Sequence, residues 1–169
     1  MLRYVGTDST ATLVPIDRYY HKNAGRTITS DAAALAYDLF DGHTYYVHNL
    51  LHNTFASVEA DKVVDVADIN QTLTEILEDK GRTFASVMNQ LNYQQKETLV
   101  AIAKEGKATG VTSVSFVKKH ALKSPSSVQY AISTLLDKQL LTYDDQGRGR
   151  TKVYSLSDRF LGMWLSRTY

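Results

Sequence analysis

His48 and His52 stand four residues apart in the string His48-Asn49-Leu50-Leu51-His52. That spacing puts two imidazoles on one helical face, as in the zinc-binding H-E-x-x-H pattern. Here Asn49 replaces the glutamate that would serve as general base, and no third ligand is near in sequence. Helix-surface histidines without a metal are the expectation. Serine, histidine and aspartate all occur, but no G-x-S-x-G string places a serine on a sharp turn. The carboxylate pairs Glu59/Asp61, Glu78-Asp79 and Asp144-Asp145 fall at expected helix ends or turns, where solvation accounts for them. Zero cysteines exclude a disulfide, a thiolate metal site and a cysteine nucleophile. No catalytic, metal-binding or cofactor-binding residue is expected in this chain, and no enzymatic activity of its own.

The cations offer better-defined chemistry. Lys118, Lys119, His120 and Lys123 crowd the approach to one expected helix, and Arg148, Arg150 and Lys152 crowd an expected hairpin. Such clusters neutralise phosphates and release condensed counterions. The helix between them would turn Ser126, Ser127, Gln129, Tyr130 and Ser133 outward, with no arginine for the common bidentate contact to guanine. Gln129 suits adenine, and the serines suit phosphate. One expectation is therefore duplex DNA held mainly by its backbone through Lys118, Lys119, Lys123, Ser126, Ser127, Gln129, Tyr130, Arg148, Arg150 and Lys152. The other keeps the cations as a solvated face and docks the module onto protein. A third, a free-standing transcription regulator, would require a dimer with matched half-site spacing. The 11 tyrosines are spread over both halves, so Tyr19, Tyr20, Tyr37, Tyr45 and Tyr46 are expected between helices rather than stacked on bases.

The elements that position these groups follow from caps and periodicity. Ala11 to Val14 reads as a short strand before Pro15, and Asp17 as the cap of a helix through Tyr20. A second helix starts near Ser30 or Asp31 and ends at Asp41-Gly42. A third runs from His43 to Phe55 with Tyr46, Val47, Leu50, Leu51 and Phe55 on one face. Asp65 and Asp68 open a fourth, carrying Ile69, Leu73, Ile76 and Leu77, which Gly81 is expected to stop. Phe84, Val87, Met88 and Leu91 suggest a short fifth helix, leaving the first half helical throughout. Asn92 and Gln95 then form an N-x-x-Q capping box before a helix closed by Gly106. Thr112 or Ser113 opens a short helix, and Ser124-Pro125 opens the next, proline taking the first helical position. Leu140 to Tyr143 and Thr151 to Leu156 read as strands around a glycine-bearing turn. A last helix covers Asp158 to Arg167. Helix, helix, helix, hairpin is the order of a winged helix-turn-helix.

At 169 residues, with 43% hydrophobic and 22% charged, the composition is that of an ordinary globular chain. Disordered, collagen-like and pure coiled-coil classes are excluded. No run approaches the roughly 18 apolar residues of a membrane span, and no apolar run follows Arg3 to make a signal peptide. A cytoplasmic location without membrane contact is the expectation. Residues 1–91 hold 7 Lys and Arg against 12 Asp and Glu, whereas residues 92–169 hold 12 against 6. That division marks two modules, the second facing an anionic partner.

Several segments together resemble a known family. They are Leu91 to Gln95, Leu99 to Gly106, Thr112-Ser113 with Phe116, and Leu122 to Val128 with Ala131, Leu135-Leu136 and Lys138. Tyr154 to Asp158 with Phe160 and Trp164-Leu165 completes the set. This half resembles the C-terminal winged helix of bacterial and archaeal AAA+/STAND-type P-loop ATPases. The first half is similar to that family's helical lid at Pro15-Ile16-Asp17, Tyr20, Gly25 to Ile28, Asp41-Gly42-His43 and Tyr45-Tyr46-Val47. The resemblance implies a mainly α chain: a helical lid-like bundle over 1–91, with a short N-terminal strand, then a winged helix with a β-hairpin wing over 92–169. It also implies ATP and magnesium in the parent, and the parent's P-loop domain as a partner. The phosphate-binding string G-x-x-x-x-G-K-[ST] is not in this chain; Gly106-Lys107-Ala108 is the nearest approach. The chain thus reads as a C-terminal fragment or truncated relative of a longer ATPase, unable to hydrolyse ATP by itself. Arg18 and Arg26 have no motif that fixes them on a nucleotide, and surface ion pairing is expected of them.

Overall fold

Local caps decide where most helices begin. The computed structural model describes residues 27–59, 61–145 and 151–169, and these divide into two compact units, one ending at Ile76 and one running from Leu77 to Tyr169. The strand expected at Ala11 to Val14, the helix capped by Asp17, and the side chains of Arg18 and Arg26 lie outside the described residues.

In the first unit, Thr29 caps α1 (Ser30–Asp38), its hydroxyl accepting from the Ala32 amide at 3.3 Å. A turn with positive φ at Asp41 and Gly42 leads into α2 (Thr44–Ser57). Val47, Leu50, Leu51 and Phe55 of α2 are buried. α3 (Val66–Asn89) opens where expected. The Asp65 carboxylate accepts from the amides of Ala67 and Asp68, and Asp68 accepts from the Asp65 amide. Ile28 and Val64 form an isolated parallel bridge, so this unit is not purely helical. Neither residue sits in an alternating run, and only their pairing reveals the bridge.

The stop expected at Gly81 does not occur. α3 continues to Asn89, and the short helix expected around Phe84 and Met88 is its second half. A mid-helix glycine costs about 1 kcal/mol against alanine, a penalty that packing outweighs. Phe84 and Met88 are buried, and the Phe84 ring lies 5.8 Å from that of Trp164. A Cβ on Gly81 would stand 3.4 Å from the Trp164 indole nitrogen, an ordinary contact, so the helix has room for a side chain there.

The second unit then runs α4 (Tyr93–Glu105), β1 (Ala108–Thr109), α5 (Val114–Lys119), α6 (Pro125–Asp137), β2 (Leu141–Asp145), β3 (Lys152–Leu156) and α7 (Arg159–Thr168). The expected Asn92–Gln95 capping box forms, Ser124 caps α6 as expected and makes a further box with Ser127, and Ser113 caps α5. Gly106 closes α4 at φ 68, a conformation that disfavours any residue with a Cβ. The sheet is antiparallel in the order β1-β3-β2, with Ala108 opposite Tyr154 and Leu141 opposite Leu156. β1 was not expected from sequence, because two residues carry no alternation. The core is Leu99, Ile102, Ile132, Leu135 and Leu165, all nearly inaccessible, where α4 packs on α6, α7 and β3. The architecture is mainly α with a β-hairpin wing.

Candidate nucleic-acid interface

In helix-turn-helix proteins that bind DNA the second helix enters the groove; the second helix of that pair in this chain is α6. Its start is fixed by Ser124, whose hydroxyl accepts from the Ser127 amide at 3.2 Å while proline occupies the first helical position. Val128, Ala131, Ile132 and Leu135 face the core. Ser126, Gln129, Tyr130 and Ser133 are exposed on the other side, Tyr130 at 72%. Ser127 is committed to the cap: its hydroxyl donates to the Ser124 carbonyl at 2.8 Å and accepts from the Ser124 amide. The Ser126 hydroxyl is exposed and lies 3.1 Å from that of Ser124.

The expected lysines differ from one another. Lys118 and Lys123 are exposed and carry no side-chain partner among the described residues. Lys119 is also exposed, but its ammonium sits 2.6 Å from Glu105 Oε1. The same oxygen lies 2.8 Å from His120 Nε2, and the His120 ring packs 4.6 Å from Phe116. Glu105 therefore clamps the end of α4 to the end of α5. The Lys119 ammonium, then the His120 ring, hold its carboxyl below the usual glutamate range. Two of the four basic residues expected beside α6, Lys119 and His120, are thus engaged within the protein by a partner that lies outside the cluster in sequence.

On the hairpin, Tyr143 is opposite Tyr154 and Asp145 opposite Lys152. Side chains alternate across a strand, so these four share one face. Lys152 places its ammonium 4.3 Å from the centre of the Tyr143 ring, which in turn lies 5.8 Å from Tyr154. Arg148 and Arg150 lie outside the described residues. Sequence reasoning passed over Tyr143 and Tyr154 because the ring pair exists only in the strand register. It also passed over Tyr93, the first residue of α4, which is 70% exposed.

Gly106-Lys107-Ala108 leads from a helix into a strand, Gly106 ending α4 and Ala108 beginning β1, whereas a phosphate loop leads from a strand into a helix. His48 and His52 are exposed on α2 with their rings stacked 6.2 Å apart, and no group of three His, Asp or Glu among the described residues is placed to hold a metal. No described helix is long and apolar enough to cross a membrane.

Comparison with known proteins agrees with this geometry. A family model described as a probable winged helix domain matches residues 82–167. No curated protein and no solved structure matches the chain. The matched span takes in the capped α4, the α5–α6 turn, the hairpin and α7, which are the parts that make up the fold just described. The chain belongs to the probable winged helix domain family.

Proposed function

We propose that this winged helix binds duplex DNA, chiefly through backbone phosphates. The observation that carries the reading is the placement of Lys118 and Lys123. Both ammonium groups are exposed and unpartnered among the described residues, on the segment that leads into the capped start of α6. The N-terminal end of α6 adds partial positive charge of its own. Lys152 extends the cations onto the hairpin, as Arg148 and Arg150 do in sequence. On α6 the exposed groups are serines, Gln129 and Tyr130, so base discrimination is weak and rests on Gln129. The resemblance of both halves to the C-terminal region of AAA+/STAND ATPases supports a place in such a protein. There the lid helices would pass nucleotide state to the winged helix, and a separate P-loop domain would bind ATP and magnesium.

Fluorescence anisotropy of a labelled duplex between about 50 and 200 mM salt tests the reading. Replacing Lys118 and Lys123 together by alanine should weaken binding evenly across sequences and flatten the log–log salt slope by about 1.8, or ~0.9 per phosphate contact. Undetectable binding at low salt, or a slope indifferent to both changes, overturns it. A second reading, docking onto protein, is favoured by the exposure of Tyr130 and by the pairing of Lys119 with Glu105. It predicts a salt-insensitive complex with the P-loop domain of the parent that Tyr130→Ala abolishes.

A further inference from the structure

We propose that the groove between the start of α4 and the first half of α6 is a stacking site for an unpaired nucleobase, such as one in a single-stranded tail beside the bound duplex. The inference rests on the DNA reading and extends it to a second kind of contact. The groove has a volume of about 330 Å³, and Tyr93 and Tyr130 both line it. Each ring is largely exposed, and neither meets another aromatic ring or a hydrogen-bond partner among the described residues. Two solvated, unpartnered tyrosines on one groove offer flat faces to a flat ligand. Every base has such a face, so stacking of this kind is tolerant of sequence.

The surface of the groove is almost entirely apolar, which suits the flat face of a base. No charged residue lines the groove. A neutral ring fits there without burying an ion, whereas a phosphate does not.

Charge around the groove places the rest of the nucleotide. On the α6 side Lys123 directly precedes the Ser124 cap, and Ser127 of that cap lines the groove. The backbone phosphates of the tail would follow Lys123 while its base entered between the tyrosines. Tyr130 belongs both to the groove and to the exposed side of α6, so the site continues the phosphate-binding surface. Inside a duplex both faces of a base are covered by neighbours, so only an unstacked base can use this site.

The test uses the full chain with a blunt duplex and the same duplex carrying a short single-stranded tail that contains 2-aminopurine. The tail should tighten binding on the order of tenfold and change the 2-aminopurine fluorescence as it stacks. Tyr93→Ala should remove the gain and leave blunt-duplex binding unchanged, Tyr130→Ala should also remove the gain, and Tyr130→Phe should keep it. Equal affinity for the two DNAs, or a gain that survives both alanine changes, overturns the proposal in favour of a protein occupant. Failure of the underlying DNA reading looks different: the blunt duplex would then show no salt-dependent binding that Lys118 and Lys123 control.

Discussion

Glu105→Gln removes one negative charge and releases two groups, and its effect on DNA affinity follows from the clamp. In the wild-type protein Lys119 lies 2.6 Å from the Glu105 carboxylate, so it contributes little to phosphate binding. Lys119→Ala alone should leave the salt slope nearly unchanged, in contrast to Lys118→Ala or Lys123→Ala, which each flatten it by about 0.9. In Glu105→Gln the freed ammonium can take a phosphate, which steepens the slope by about 0.9 and tightens binding at low salt. Adding Lys119→Ala to that background should return the slope to the wild-type value. The four proteins form a double-mutant cycle whose coupling isolates the ion pair. Anisotropy with one duplex over a salt series is the assay. If Lys119→Ala weakens wild-type binding as much as Lys118→Ala does, the ion pair does not withhold Lys119 and the reasoning fails. The same clamp has an acid signature. Glu105 is held below its unfolded pKa, so its contribution to stability is present above roughly pH 4.3 and fades as pH falls through the folded value. In Glu105→Gln that part of the acid limb should be missing.

Other outcomes are equally specific. Ser124→Ala breaks the box that starts α6 and should lower unfolding free energy by about 1 kcal/mol in urea, with the slope of the transition unchanged. Gly81→Ala places a Cβ 3.4 Å from the Trp164 indole nitrogen, an ordinary contact. It should stabilise by up to about 1 kcal/mol, whereas a glycine that ended a helix with positive φ would make alanine destabilising. The Asp68 carboxyl is lowered first by the Lys62 ammonium, 2.6 Å away, and then by the Asp65 amide. Its contribution is present above about pH 3.9 and lost as pH falls through the folded value, so Asp68→Asn should flatten acid unfolding of the first unit as followed by circular dichroism.

What could be read from the sequence was whatever is encoded locally. Asn92 with Gln95, Ser124 with Pro125, and Gly106 are signals within a few residues of the helix ends they set, and all act as read. The apolar stripe of α6 likewise follows from spacing alone. Features that depend on distant parts of the chain were not legible. Gly81 stays helical in a segment that holds Phe84 against Trp164 on that same face, and nothing near Gly81 in sequence announces that contact. β1 exists only through its register with β3. The basic cluster was visible as composition, but the capture of Lys119 by Glu105 needed the end of α4 to lie beside the end of α5. Tyr93 and Tyr130 are far apart in the chain and line one groove only because α4 packs on α6.

The central claim is that the lysines beside the start of α6 meet a polyanion. Amide chemical-shift mapping during titration with a short duplex tests it most directly. The account predicts the largest shifts at Lys118, Lys123 and Ser124 to Tyr130, with a second group on the hairpin at Lys152. Shifts confined to α7 and the second half of α3, or none at low salt, would contradict it.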